Sequence, residues 1–265
     1  MRSLLAIEWL KIKRYTTFWV LAIMFTALLF LWNYLNSSGL LKLGGPKNMN
    51  LLLNAYKFPE IWDNVAHWTK FFSGLIAIII IILTTNEYQY RTNRQNVIDG
   101  WSRSQFFNAK WLVVFVMALL ITLYTFIIVL IFGLANGSSY SDMSSHAEKL
   151  FYVMVMAFNY FSFALTLSFF LKRSGMTIVI FLLYAYIIEI IMQQLLNWKI
   201  DWKPGNYLPM QCSAELLPFP LLKTLQSLTG QVSHGPSEQT LVITSIIWIV
   251  IYYFIGRAKL LRSDW

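Results

Sequence analysis

Charge is scarce in this chain: only 12% of its 265 residues are Asp, Glu, Lys or Arg, about half of the roughly 25% usual in a soluble domain. It has a single cysteine, Cys212, so no disulfide can form within the chain. Twelve glycines and seven prolines are too few for a collagen-like or low-complexity protein. What is abundant is apolar and aromatic, at 57% and 17%, which excludes intrinsic disorder. Runs such as Gly74–Leu83 (GLIAIIIIIL) leave no face for water, which excludes a soluble helical bundle. The composition is that of a membrane protein.

A bilayer-spanning helix needs about 20 mostly apolar residues. Six stretches qualify, at about Thr17–Leu35, Trp68–Thr85, Trp111–Leu134, Leu150–Leu171, Met176–Leu196 and Leu241–Ile255. They predict an all-α, polytopic membrane protein with six transmembrane helices. Too little chain remains for a second globular domain of ordinary size, so residues 1–265 are read as one transmembrane domain.

The net charge of +9 is unevenly placed. The segments expected on the side of the N-terminus carry 13 basic and four acidic residues, and everything else carries eight of each, so the whole excess lies on one face. Short loops rich in Lys and Arg stay in the cytoplasm, which puts both termini inside. The aromatics interleaved with these basic residues read as interfacial belts rather than base-stacking platforms, so no nucleic-acid partner is expected.

Residues 1–16 carry no small-residue cleavage site and read as an amphipathic helix lying in the membrane interface. Leu4, Leu5, Trp9 and Ile12 would face lipid, with Glu8, Lys11 and Arg14 on a neighbouring polar face. A plain positive-inside anchor is the alternative. Among the outside loops, 197–239 is the largest. Its apolar stretch Leu216–Leu228 is too short to span, which favours a re-entrant or interface-lying helix.

Catalytic signatures are missing. His67, His146 and His234 lie in different loops with no ligand at helical spacing, so no metal motif forms. There is no G-x-S-x-G elbow, and no glycine is followed by lysine, so the phosphate-binding loop of ATPases is absent too. No catalytic residue and no cofactor of the chain's own is expected. One acid does sit inside a span: Glu189, with Tyr186 and Gln193 on the same helical face. An acid in hydrocarbon is costly and is expected to face protein or a water-filled cavity, which makes these three a candidate cargo path. Alternatively Glu189 reaches headgroup water, or is protonated and bonded to a neighbouring span.

The segment between the second and third spans, Asn86–Lys110, divides into a continuation of span two, a short helix ending at Asp99-Gly100, and a new helix that Ser102 can cap. Glu87 beside Arg91 and Arg94 suggests an ion-pair cluster, and Val97 and Ile98 at the tip suggest a docking surface.

These features resemble the permease subunits of ABC transporters of the type-2 export class. That family pattern has E-x-x-K-x-x-R before the first span, then E-x-x-x-G-T, a Ser-Arg pair, and a Lys opening the third span. Here the matching residues are Glu8, Lys11 and Arg14; Glu87 and Thr92; Ser102 and Arg103; and Lys110, with Arg91 standing where many members have glycine. The resemblance implies a half-transporter of the bacterial cytoplasmic membrane. It would pair with a second permease copy or relative and with separate ABC ATPase subunits that bind ATP and magnesium. The cytoplasmic coupling helix would lie at Thr92–Asp99 and the external re-entrant helices between spans five and six. ATPase coupling then falls to Glu87, Arg91, Thr92, Arg94, Val97, Ile98, Asp99, Ser102 and Arg103. The aromatic and methionine content suits an amphipathic or hydrophobic cargo such as a peptide antibiotic, drug or lipid. Small-ion export, or a non-transporting module that transmits force to an envelope process, are the alternatives.

Overall fold

The computed structural model describes residues 2–40, 55–98, 100–136, 143–200, 202–220 and 235–262. Among them every regular element is helical: α1 (Arg2–Lys13), α2 (Thr16–Ser37), α3 (Glu60–Gln89), α4 (Thr92–Ile98), α5 (Arg103–Ala135), α6 (Glu148–Leu171), α7 (Ser174–Leu183), α8 (Glu189–Lys199), α9 (Gln211–Ala214) and α10 (Glu238–Arg262). A π-helical turn, Tyr184–Ile188, joins α7 to α8, and a 3-10 turn, Pro204–Tyr207, precedes α9.

Six of these units are long and apolar enough to cross a membrane: α2, α3, α5, α6, the continuous Ser174–Trp198 unit and α10. The chain is thus an all-helical, multi-pass membrane protein. Two helices start well before their apolar stretches. The second span begins at Glu60 rather than Trp68, and the third at Arg103 rather than Trp111. The polar residues in these extensions are satisfied inside the protein, which removes the reason to break the helix there. Asp63 faces His146 at 3.1 Å, and Lys110 binds two carboxylates.

At the centre stands α6, packed on α3, α5 and α10. In its apolar stretch 61% of residues are buried, against 22% for α2 and for the Ser174–Trp198 unit, so those two form the periphery. Small polar side chains let α6 lie close to its neighbours. Ser162, Thr166 and Ser168 are buried, and Thr166 and Ser168 return their hydroxyls to carbonyls one turn back at 2.8 Å. Gly133 serves the same end on α5: a Cβ there would lie 2.7 Å from the Phe58 ring.

Past α8 the chain turns back over the bundle. Leu216 and Leu217 of the expected Leu216–Leu228 helix are buried, while 221–234 and the Gly44–Pro46 turn lie outside the described residues.

Candidate functional site

Four charges from three helices meet where α1, α3 and α5 converge. Lys110 of α5 lies 2.6 Å from Glu8 of α1 and 2.6 Å from Glu87 of α3, and Lys11 bridges the same two carboxylates at 3.1 and 3.0 Å. The Lys110 side chain is 4% exposed, so this is a charge-balanced knot in low dielectric, where each ion depends on the others. Burial alone would push the Glu8 carboxyl up, but the Lys110 and Lys11 ammoniums outweigh that and hold it below the usual carboxylate value.

Trp9 of α1 lies outward as expected, but the expected placement of Ile12 is corrected. Glu8 and Ile12 are buried, whereas Ile7, Trp9 and Leu10 are exposed. Ile12 therefore packs in the core instead of facing lipid. The polar face turns inward because it alone can neutralise Lys110, and the apolar face is left outside. Arg14 lies just past the end of α1 and is exposed; the side chains of Leu4 and Leu5 fall outside the described residues.

The expected pairing of Glu87 with Arg91 is corrected. Glu87 pairs with Lys11 and Lys110, and Arg91 is exposed past the end of α3. Arg91 has φ of 57°, a left-handed conformation that glycine adopts without strain. The bend is thus kept without the glycine. It starts α4, where the Thr92 hydroxyl reaches back to the Glu87 carbonyl at 3.5 Å and Ile98 is 77% exposed. Asp99 and the side chains of Arg94 and Val97 lie outside the described residues.

After α4, Gly100 at φ 95° reverses the chain and Ser102 caps α5. The cap is reciprocal: Gln105 N–H donates to Ser102 Oγ at 3.1 Å, and Ser102 N–H donates to Gln105 Oε1 at 2.8 Å. Arg103 donates to the Leu261 carbonyl at 2.9 Å, which ties this corner to the end of α10. Asn86 donates to the Tyr15 hydroxyl at 2.8 Å, which ties α3 to the α1–α2 joint. Lys11 lies 5.8 Å from the centre of the Trp101 ring. The helices that flank α4 are thus tied to α1 and α10.

Tyr186, Glu189 and Gln193 do share one face, and that face holds protein. The Tyr186 hydroxyl donates to the Phe71 carbonyl at 2.9 Å, over Gly74, where a Cβ would come within 2.5 Å of it. Glu189 Oε1 accepts from the Met210 N–H at 2.7 Å, and Gln193 donates to Glu215 at 2.6 Å and Asn206 at 3.0 Å. Asn159 of α6 donates to the Pro209 carbonyl at 2.8 Å, so the Pro209–Met210 peptide is gripped from two spans. Sequence reasoning missed Lys70 and Asn159, which hold this external turn. The available signal was an ammonium and an amide side chain, each within an apolar helix. Lys110 was quoted only as the lysine opening span three; as the hub of the knot it is visible only in three dimensions. Among the described residues no group of His, Cys, Asp and Glu could hold a metal ion.

Six spans with a buried ionic knot beside the exposed α4 make a polytopic membrane protein. Residues 4–188 match the family model of the ABC-2 family transporter protein, and the chain belongs to that family. Its membership makes it a membrane component of an ABC transporter. No curated protein matches the chain.

Proposed function

We propose that this chain is the transmembrane subunit of an ATP-driven exporter of the bacterial cytoplasmic membrane, with both termini in the cytoplasm and ATP hydrolysed by separate ABC ATPase subunits that bind ATP and magnesium. Two permeases, identical or related, form the membrane unit, and the cargo is amphipathic or hydrophobic. The observation that carries this reading is the ionic knot next to α4: Glu8, Lys11, Glu87 and Lys110 join three helices, and the chain runs from Glu87 into α4, where Ile98 is exposed.

In this reading α4 sits in a cleft of the ATPase, and α1 lies along the membrane interface with Trp9 and Leu10 toward lipid. Closure of the ATPases moves α4, and the knot passes the displacement to the spans. ATP binding shifts the permease only because its two states offer the ATPase different contacts.

Replacing both Val97 and Ile98 with Asp tests the docking surface. The double variant is expected to insert normally and to lose ATPase co-purification from mild detergent. Undiminished ATPase recovery would overturn the assignment of α4.

A further inference from the structure

Four buried carboxylates are found among the described residues, and three have cations beside them. Glu8 and Glu87 share Lys11 and Lys110, and Asp63 faces His146 and Lys149. Glu189 has none. Its Oε1 accepts the backbone N–H of Met210, and its Oε2 is buried with no hydrogen-bond partner among the described residues. Lys70 of α3 does not serve it, because that ammonium is directed at the carbonyls of Ala214 and Leu217.

Tyrosines from three spans lie near Glu189. Tyr160 of α6, Tyr184 of the π turn and Tyr252 of α10 are all close enough for the Glu189 charge to act on their hydroxyls. The Tyr252 hydroxyl is buried and likewise without a hydrogen-bond partner among the described residues. Phe163 continues the wall, with its ring centre 5.0 Å from Tyr184 and 5.5 Å from Tyr252, and Trp248 stacks on Tyr252 at 5.9 Å. The π turn contributes to this arrangement: it adds a residue per turn just before Glu189 and so sets the helical face on which the carboxylate lies.

A buried carboxylate that no cation faces among the described residues, with tyrosines from three spans near it, has the chemistry that recognises an organic ammonium: the charge attracts it and aromatic rings add cation–π attraction. A neutral apolar molecule would leave the carboxylate unpaired, and an anion would be repelled. We propose that Glu189, ringed by Tyr160, Tyr184 and Tyr252, binds the ammonium or equivalent cationic group of an organic molecule. This rests on the permease reading and narrows its cargo to cationic amphiphiles. A phosphatidylethanolamine headgroup and the amine of a cargo share this chemistry.

The test is equilibrium binding of radiolabelled tetraphenylphosphonium, with neutral triphenylphosphine oxide as its control. It uses the tagged chain, together with the ATPase that co-purifies, in lipid nanodiscs. Wild type is expected to bind the cation saturably and to ignore the neutral analogue. Glu189→Gln, which keeps an acceptor for the Met210 N–H, and Tyr184→Leu are each expected to bind at least about tenfold more weakly. Equal binding by Glu189→Gln, or by the neutral analogue, would overturn the proposal. Weaker cation binding in phosphatidylethanolamine discs than in phosphatidylglycerol discs would support a lipid amine as resident, and equal binding a cargo amine. ATPase recovery is scored on the same preparations. Equal binding with ATPase present sinks the cation site alone, whereas absence of ATPase from every preparation sinks the permease reading.

Discussion

Lys110 is the residue on which most depends, because two carboxylates and almost no water surround it. Lys110→Met leaves Glu8 and Glu87 facing each other with only Lys11, which is half-buried at the rim, to compensate. The expected cost is about 3–5 kcal/mol, read as a lower melting temperature in detergent, because removing one partner strands buried charge. Adding Glu8→Gln and Glu87→Gln is expected to restore most of the loss. If Lys110→Met melts like the wild type, the knot is not the tie described here. Arg91 shows the opposite relation between residue and backbone. Its left-handed φ of 57° costs an L residue about 1–2 kcal/mol, which the surrounding bend sustains.

At the scale of elements, the external turn is fixed by how closely it approaches α8. A Cβ on Gly205 would lie 2.6 Å from the Gln193 carbonyl oxygen and 2.7 Å from its Cα, and neither backbone atom can step aside. Gly205→Ala is therefore expected to lift the turn off α8. It would break the bond from the Gly205 N–H to Asn197, 2.9 Å in length, and the contacts of Asn206. Cys212, buried beneath that turn and the sole thiol, reports the change. Wild type should resist maleimide and Gly205→Ala should react several-fold faster; equal rates would refute the close-packed turn. Helix existence was legible here, since apolar runs of this length have few other folds in a bilayer. Orientation was not. The periodicity of α1 identifies a polar and an apolar face, but the burial of Glu8 depended on Lys110, about a hundred residues away.

Across the whole molecule, α3 joins the two ends. Its Glu87 belongs to the knot and its Lys70 holds the external turn, roughly 25 Å apart at 1.5 Å per residue along one continuous helix. The basic excess at the end holding α4 implies that this end is cytoplasmic. Alkaline phosphatase fused after Asn136 should therefore be active, and fused after Gly100 inactive. The reverse pattern would invert the topology.

The sequence by itself determined the membrane class, the six spans, the corner capped by Ser102 and the uneven charge. All of these follow from composition, local periodicity and short-range capping, which act within a few turns of one helix. Tertiary structure decided which charges meet. Glu87 chose Lys110 over the nearby Arg91, and among the described residues no cation faces Glu189 while Lys70 turned to carbonyls. In a low-dielectric interior the partner of a charge is set by which helices pack together, and proximity in sequence does not decide it.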